Sequence, residues 1–228
     1  MPLTILPPGL TQDSGAATQK SDKQFDSMEF TPGKLADGQS VLLRPMGNFS
    51  TGSCAMYYAW ATETELNGEL KYSGTRYAAE WPGDVPPDAS RTTDWSQASR
   101  PRVDGTSVRA KKTLMWLVFN QETDRLEVAV LAQKSLQQAL TEILQETDDY
   151  TWTEDGVANF LIKVTRKGTG IDTTYSCLPK LSKPTKAEVD AFKAVAETAQ
   201  MSCYLEQRHP LKQRPEFTSA APTGEAEF

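Results

Sequence analysis

Residues 111–144 read KKTLMWLVFNQETDRLEVAVLAQKSLQQALTEIL, and this stretch indicates the fold class. Two runs, at 107–119 and 125–132, are rich in β-branched, aromatic and other apolar residues, which is typical of strands. The polar residues 120–124 between them predict a turn. The sequence therefore predicts a β-hairpin at the centre of the chain.

Two helices are predicted from capping boxes. Ser135 and Gln138 form the first box, and Thr185 and Glu188 form the second, just after Pro184. Apolar residues follow each box at helical spacing. They are Leu136, Leu140, Ile143 and Leu144 in the first helix, and Val189, Phe192, Ala196, Ala199 and Cys203 in the second.

Four further runs predict strands, and a glycine-bearing turn at 167–170 joins the last two. These runs are 39–46, 54–61, 158–166 and 171–178. Strands, one helix and a terminal hairpin follow the order of an OB-like barrel. We therefore predict a mainly β fold, an OB-like barrel of about five to six strands with one capping helix and a C-terminal helix, in which 39–46 and 54–61 are halves of one bent strand.

Composition divides the chain into a domain and its flanks. Turn-forming and polar residues predict a flexible N-terminal arm at 1–30 and a mobile acidic tail at 210–228. The OB-like domain is predicted at 31–180, with 82–106 as an inserted surface loop. The C-terminal helix, within 181–209, is expected to pack against the domain.

The net charge of −6 and the isoelectric point near 5.0 exclude a protein that binds polyanions through bulk charge. A local basic groove is compatible with this net charge, because screening limits the reach of charge to about 8 Å at physiological salt.

Cys54, Cys177 and Cys203 form no C-x-x-C pair, which favours a reducing compartment and buried thiols. Without a signal peptide or membrane-spanning run, we expect a cytoplasmic protein, in the host cytoplasm if it is viral.

Enzyme chemistry has little support in the sequence. Asp148, Asp149, Glu154 and Asp155 could suggest a two-metal nuclease, but acids that follow a helix are usually solvated connections. No phosphate-binding loop or serine triad is visible. We therefore expect no catalytic residues and no cofactor.

Aromatic and basic residues interleave along the predicted strands, which is the composition of a stacking platform with phosphate contacts. The candidate nucleic-acid-binding residues are Arg44, Tyr57, Tyr58, Trp60, Arg76, Tyr77, Trp81, Arg109, Lys111, Lys112, Trp116, Lys163, Arg166, Lys167 and Tyr175. The alternatives are core packing for the aromatics and a solvated, charge-protected sheet edge for the basic hairpin residues. Single-stranded DNA is the expected partner.

Three stretches resemble the helix-destabilising single-stranded-DNA-binding proteins of tailed bacteriophages, relatives of the T4-type replication protein. They are VRAKKTLMW at 108–116, ANFLIKV at 158–164 and RKGTGIDTTY at 166–175, which ends in Leu178-Pro179. The resemblance spans about residues 35–180 and implies an OB-fold protein that coats single strands during DNA replication, recombination and repair. The T4-type zinc site has no counterpart here, because His209 is the single histidine and metal-ligand spacing is missing.

The end of the chain, Glu225-Ala-Glu227-Phe228, resembles the acidic tips of such proteins. The resemblance implies that Glu225, Glu227 and Phe228 dock replication or recombination proteins. A polar tail without a role, an RNA-binding OB protein, and a structural or protein-docking module of a virus stay open as alternatives.

Overall fold

A computed structural model describes residues 28–66, 69–83, 110–146 and 149–212. Its strands are β1 (Glu29–Phe30), β2 (Ser40–Pro45), β3 (Cys54–Leu66), β4 (Glu69–Ala78), β5 (Lys111–Asn120), β6 (Arg125–Leu131), β7 (Phe160–Lys167) and β8 (Thr174–Leu181). The helices are α1 (Lys134–Glu146) and α2 (Lys186–Lys193), and 3-10 turns lie at Pro32–Lys34, Gly170–Asp172 and Met201–Glu206. The predicted mainly β class is confirmed.

Strand β5 is the centre of the sheet. One edge pairs with β6 through the predicted turn, and the other edge pairs first with β3 and then with β2. Leu117 of β5 lies between these two pairings. Its carbonyl accepts from the Met46 N–H at 2.9 Å, and its own N–H donates to the Ser53 carbonyl at 2.8 Å. Strands β2 and β3 thus run in one direction along one edge of β5, in agreement with the prediction of a single interrupted strand.

The sheet is open, so the prediction of a closed barrel is not confirmed. Beyond β2 the order continues to β7 and β8, whereas β1 lies parallel to β6 at the far side. Among the described residues, no hydrogen-bonded ladder joins β8 to β6 or β1. Helix α1 packs against β8 instead.

An inner core lies between the curved sheet and α1. Leu136 and Leu140 of the helix meet Leu114 and Trp116 of β5, and Phe160 of β7 is fully buried among them. Alternate residues of β7, namely Phe160, Ile162 and Val164, face this core as the sequence pattern predicts.

An outer core lies on the other face of β5. Met115, Leu117 and Phe119 pack there against the C-terminal segment, including Phe192 of α2 and Met201. The Thr185–Glu188 capping box is present, with the Thr185 hydroxyl accepting from the Glu188 N–H. The C-terminal segment therefore completes the layer that covers β5.

Several boundaries differ from the sequence prediction. Helix α2 ends at Lys193, so Ala196, Ala199 and Cys203 of the predicted helical stripe lie beyond it, and β4 was not predicted as a strand. Helix α1 begins at Lys134, so Ser135 lies within it rather than before it. Strand β8 begins at Thr174, because Ile171 belongs to a 3-10 turn and is 85% exposed. Glu29 and Phe30, at the end of the predicted arm, form β1. Residues 1–27, 84–109 and 213–228, and with them most of the arm, the inserted loop and the tail, lie outside the described residues.

Candidate nucleic-acid interface

Arg44 is a structural residue, which corrects its assignment to phosphate contact. It is 2% exposed, and its Nε donates to Glu188 Oε1 at 2.7 Å. Its Nη1 donates to the carbonyls of Ala158 at 2.9 Å and Ser182 at 2.7 Å. A guanidinium whose donors are committed in this way links β2, β7 and α2 and has no access to a nucleic acid strand.

Trp116, Tyr57 and Trp60 are also removed from the predicted stacking surface, because they are 3%, 8% and 7% exposed. Trp116 faces the inner core, where its indole N–H donates to the Gly47 carbonyl at 3.0 Å. Tyr57 faces the outer core. Stacking on a base needs an accessible ring face, so these rings serve the fold.

Arg166 and Tyr175, register partners on β7 and β8, are structural as well. Arg166 Nη1 donates to the carbonyls of Gly33 at 3.0 Å and Leu35 at 2.7 Å, which anchors the 3-10 turn at the start of the domain. Tyr175 is half-buried against the inner core. The Arg166 guanidinium is therefore committed to the fold, whereas Tyr175 stays partly exposed.

A different set of side chains forms an accessible surface at the start of β5. Tyr58 of β3 lies directly opposite Lys112 of β5 and Ala78 of β4, and directly opposed residues share a face of a sheet. Trp81, just after β4, packs edge-on against Tyr58 with ring centroids 5.3 Å apart. Trp60 and Ala110 pack beneath Tyr58. We call Tyr58, Trp81 and Lys112, with Trp60 below, the aromatic face.

Exposure separates the upper and lower members of the aromatic face. Trp81 is 48% exposed, Tyr58 is half-buried and Lys112 is exposed, whereas Trp60 is buried. Two aromatic rings are therefore available to a ligand, one cation lies in register beside them, and a buried indole supports them.

Lys111 and Tyr77 lie on the other face of the sheet, whereas Arg76 shares the face of Trp60. Lys111 is exposed and opposite Ala59, which places it on the other face of the sheet from Lys112. Arg76 is the register partner of Trp60, and its guanidinium reaches the side-chain amide of Gln207. Tyr77 packs on Tyr204, with centroids 4.9 Å apart. Arg76 and Tyr77 connect the β3–β4 hairpin to the C-terminal segment.

A second basic surface lies on the β7–β8 hairpin. Lys163 and Lys167 are exposed, and Lys163 is opposite Leu178, which is 61% exposed. Lys180 shares this surface, since it is opposite Leu161, two residues from Lys163. Sequence reasoning missed Lys180 and Leu178, although the period-2 alternation of a strand would have placed both beside Lys163. We call these residues the lysine face.

Phe49 is a further exposed aromatic that the sequence prediction did not include. It lies in the turn between β2 and β3 and is 61% exposed. Its signal in the sequence was its position between the turn-forming residues of 47–52, where a large apolar side chain has little to pack against.

Several predicted residues lie outside the described part of the chain. They are Arg109 and the tail residues Glu225, Glu227 and Phe228.

The described residues contain no group of three or more histidine, cysteine or acidic side chains that could hold a metal ion. Cys54 and Cys177 are buried, and burial raises the pKa of both thiols. Among the helices of the described residues, none has the length and apolar character needed to cross a membrane.

Comparison of the chain with protein-family models, with curated proteins and with solved structures found no match in any of the three.

Proposed function

We propose that the protein binds single-stranded DNA with little sequence preference and that the aromatic face is the contact surface. The observation that carries the proposal is the pair of accessible rings of Tyr58 and Trp81, 5.3 Å apart, with Lys112 in register beside Tyr58.

The chemistry of the aromatic face suits a single strand better than a duplex. Stacking of one base on one aromatic side chain contributes about 1–3 kcal/mol and does not depend on the base. Only an unpaired base offers both of its faces, whereas bases within a duplex are already stacked. Lys112 supplies a cation for the phosphate that joins two stacked nucleotides.

The order of neighbouring strands also favours this function. Neighbouring antiparallel strands follow the order of an OB fold, which here is β6, β5, the interrupted strand (β2 with β3), β7 and β8. In the sequence, α1 lies between the β5–β6 hairpin and the β7–β8 hairpin. We propose that the domain is an opened OB fold, in which the closing pair between β6 and β8 is replaced by packing of α1. OB folds bind oligonucleotides through the face of their second and third strands and through the loops beside it.

The lysine face offers a second set of phosphate contacts, on the opposite face of the sheet from Tyr58 and Lys112. Lys163, Lys167 and Lys180 bring three cations to one face of the β7–β8 hairpin, around the exposed Leu178. They offer phosphate contacts without base recognition, which is consistent with a protein that coats strands of any sequence. The biological role proposed from these features is the coating of single strands during replication, recombination and repair, as the sequence resemblance implies.

The proposal is tested by fluorescence anisotropy of the full chain with a labelled oligo(dT) and with a duplex of the same length, at one salt concentration. We expect the single strand to bind at least tenfold more tightly, because the duplex cannot stack on Tyr58 and Trp81. Equal affinities for the two forms would overturn the proposal. A parallel titration with oligo(U) measures whether the surface distinguishes DNA from RNA.

A further inference from the structure

A polar cleft lies between the β3–β4 hairpin and the residues that follow the 3-10 turn Met201–Glu206. Its volume is about 470 Å³, within the range of small-ligand sites. Thr62, Thr75 and Arg76 line the strand side of this cleft, and Gln207, Arg208 and His209 line the C-terminal side. Side chains from residues more than a hundred positions apart in the chain therefore converge on one opening.

The backbone at Gln207 shapes the C-terminal side of the cleft. Gln207 has a left-handed conformation, with φ 58° and ψ 32°, and its N–H donates to the Tyr204 carbonyl at 3.0 Å. A left-handed residue that is not glycine is uncommon and costs free energy. The turn ends the 3-10 segment and leads directly into Arg208 and His209.

The positive charge of the cleft comes from two guanidinium groups. Arg76 and Arg208 are both exposed, one on each side. Arg208 pairs with Glu206, but that pair is about 60% exposed on both sides and an ion pair in water is worth little. Guanidinium groups are the preferred partners of phosphate, because their N–H donors match its oxygens in pairs.

The acidic group in the cleft, Glu29, is already engaged. Its Oε1 accepts from the Tyr204 hydroxyl at 2.9 Å, and burial raises the pKa of the Glu29 carboxyl. His209 stays neutral at pH 7, because burial lowers its pKa to about 4. Its Nδ1 accepts from the Leu211 N–H at 3.1 Å, so the proton is on Nε2, where no hydrogen-bond partner is found among the described residues. The cleft thus holds two exposed guanidinium groups, of which Arg76 contacts the Gln207 amide and Arg208 pairs with Glu206. The buried His209 Nε2 lies 3.9 Å from Glu29 Oε1.

We propose that this cleft binds a phosphate group of a single-stranded nucleic acid, with Arg76 and Arg208 as its paired ligands. The inference depends on the proposed function and extends its contact surface along β4. Arg76 is the register partner of Trp60, so it shares the face of Tyr58, and it lies five residues before Trp81. We expect a strand that stacks on Trp81 to continue along β4 to Arg76 and the cleft.

The test compares Arg208→Gln, Arg76→Gln and Arg208→Lys with Lys193→Gln, an exposed cation on α2 that pairs with Asp155. For each protein, the affinity for oligo(dT) is measured across a salt series. Loss of one phosphate contact should reduce the slope of log affinity against log salt by about 0.7. We expect this reduction in the two Gln variants of arginine, a wild-type slope in Lys193→Gln and a largely retained slope in Arg208→Lys. Unchanged melting temperatures show that the variants are folded.

The outcomes distinguish the cleft from the proposed function. If the wild type binds oligo(dT) and both arginine variants keep its slope, the cleft proposal is overturned and the proposed function stands. If the wild type does not bind oligo(dT), the proposed function is overturned, and thermal shift with dTMP and inorganic phosphate decides the cleft. Stabilisation by either anion that is lost in both Gln variants would leave a free-anion site and overturn the nucleic acid assignment. No stabilisation by either anion would overturn the cleft proposal as well.

Discussion

The two ends of β5 place the same residue types in opposite environments. In its second half, Trp116 is 3% exposed, and Arg44 of the adjoining β2 is 2% exposed. Around its first residues, Trp81 is 48% exposed and Arg76 is exposed. The difference shows that a tryptophan or an arginine in a strand-rich chain indicates a ligand only when its environment leaves it accessible.

The cause is the number of layers that cover each end. The second half of β5 has α1 and β7 on one face and the C-terminal segment on the other, so eight consecutive residues from Thr113 to Asn120 are buried. At the start of β5, Lys111 and Lys112 are exposed. The neighbours there are β3 and β4, within the same sheet, and Trp81, which packs on Tyr58. We therefore expect substitutions at the covered end to change stability and those at the uncovered end to change binding.

The largest effect is expected from Glu188→Ala at the covered end. The substitution leaves the Arg44 guanidinium buried without its carboxylate, which should lower the free energy of unfolding by about 3–5 kcal/mol. Urea denaturation measures the loss. Lys193→Ala is the matched control, because it breaks an exposed ion pair with Asp155 and should cost less than about 1 kcal/mol. A similarly small loss in Glu188→Ala would contradict the role of this ion pair.

Trp81→Ala and Tyr58→Ala test the uncovered end. Each should weaken binding of oligo(dT) by about 1–3 kcal/mol, or roughly 5- to 150-fold, because one stacking surface is lost. Phe49→Ala is a control of similar exposure in a turn outside the aromatic face. Wild-type affinity in both aromatic-face variants, measured by anisotropy, would move the contact surface elsewhere.

Intrinsic fluorescence sharpens the contrast between the two tryptophans. If Trp81 stacks on a base, Trp81→Phe should remove much of the quenching that accompanies binding. Trp116→Phe should retain that quenching but lose about 1–2 kcal/mol of stability, since the indole hydrogen bond to Gly47 is gone. Equal quenching in the two variants would mean that neither indole reports on the ligand.

A smaller effect concerns pH. The pKa of His209 in the folded protein is about 4, below its ordinary 6.5, because burial disfavours the charged ring. The unfolded chain therefore takes up this proton first as the pH falls from about 6.5 to 4, and the free energy of unfolding should decrease over that window. His209→Gln should make the dependence shallower than in the wild type, as measured by urea denaturation at pH 7 and pH 5.5. Identical pH dependence in both proteins would contradict the assignment.

Local patterns in the sequence predicted much of the fold. The turn between β5 and β6, the alternation in β7 and the capping box of α2 depend on neighbouring residues, and all three are present. The opening of the sheet could not be predicted, because it depends on α1 packing against β8, and no local pattern encodes the distance between β6 and β8.

The candidate site was harder to predict for a related reason. Alternation normally separates the buried and exposed side chains of a strand, but β5 is covered on both faces, so its pattern gives no exposed set. Glu188 was identified as a capping residue from Thr185, three positions earlier. Its second contact, with Arg44, is formed only by the tertiary fold.

The separation between Arg44 and Glu188 also bears on synthesis of the chain. The two residues are 144 positions apart, so at about 5–20 residues per second the arginine leaves the ribosome roughly 7–30 s before its carboxylate. During that interval a buried position for Arg44 would hold an uncompensated charge. The nascent chain therefore cannot settle β2 into its final place until α2 has been translated, and the last segment to emerge sets the moment at which the first long strand is fixed.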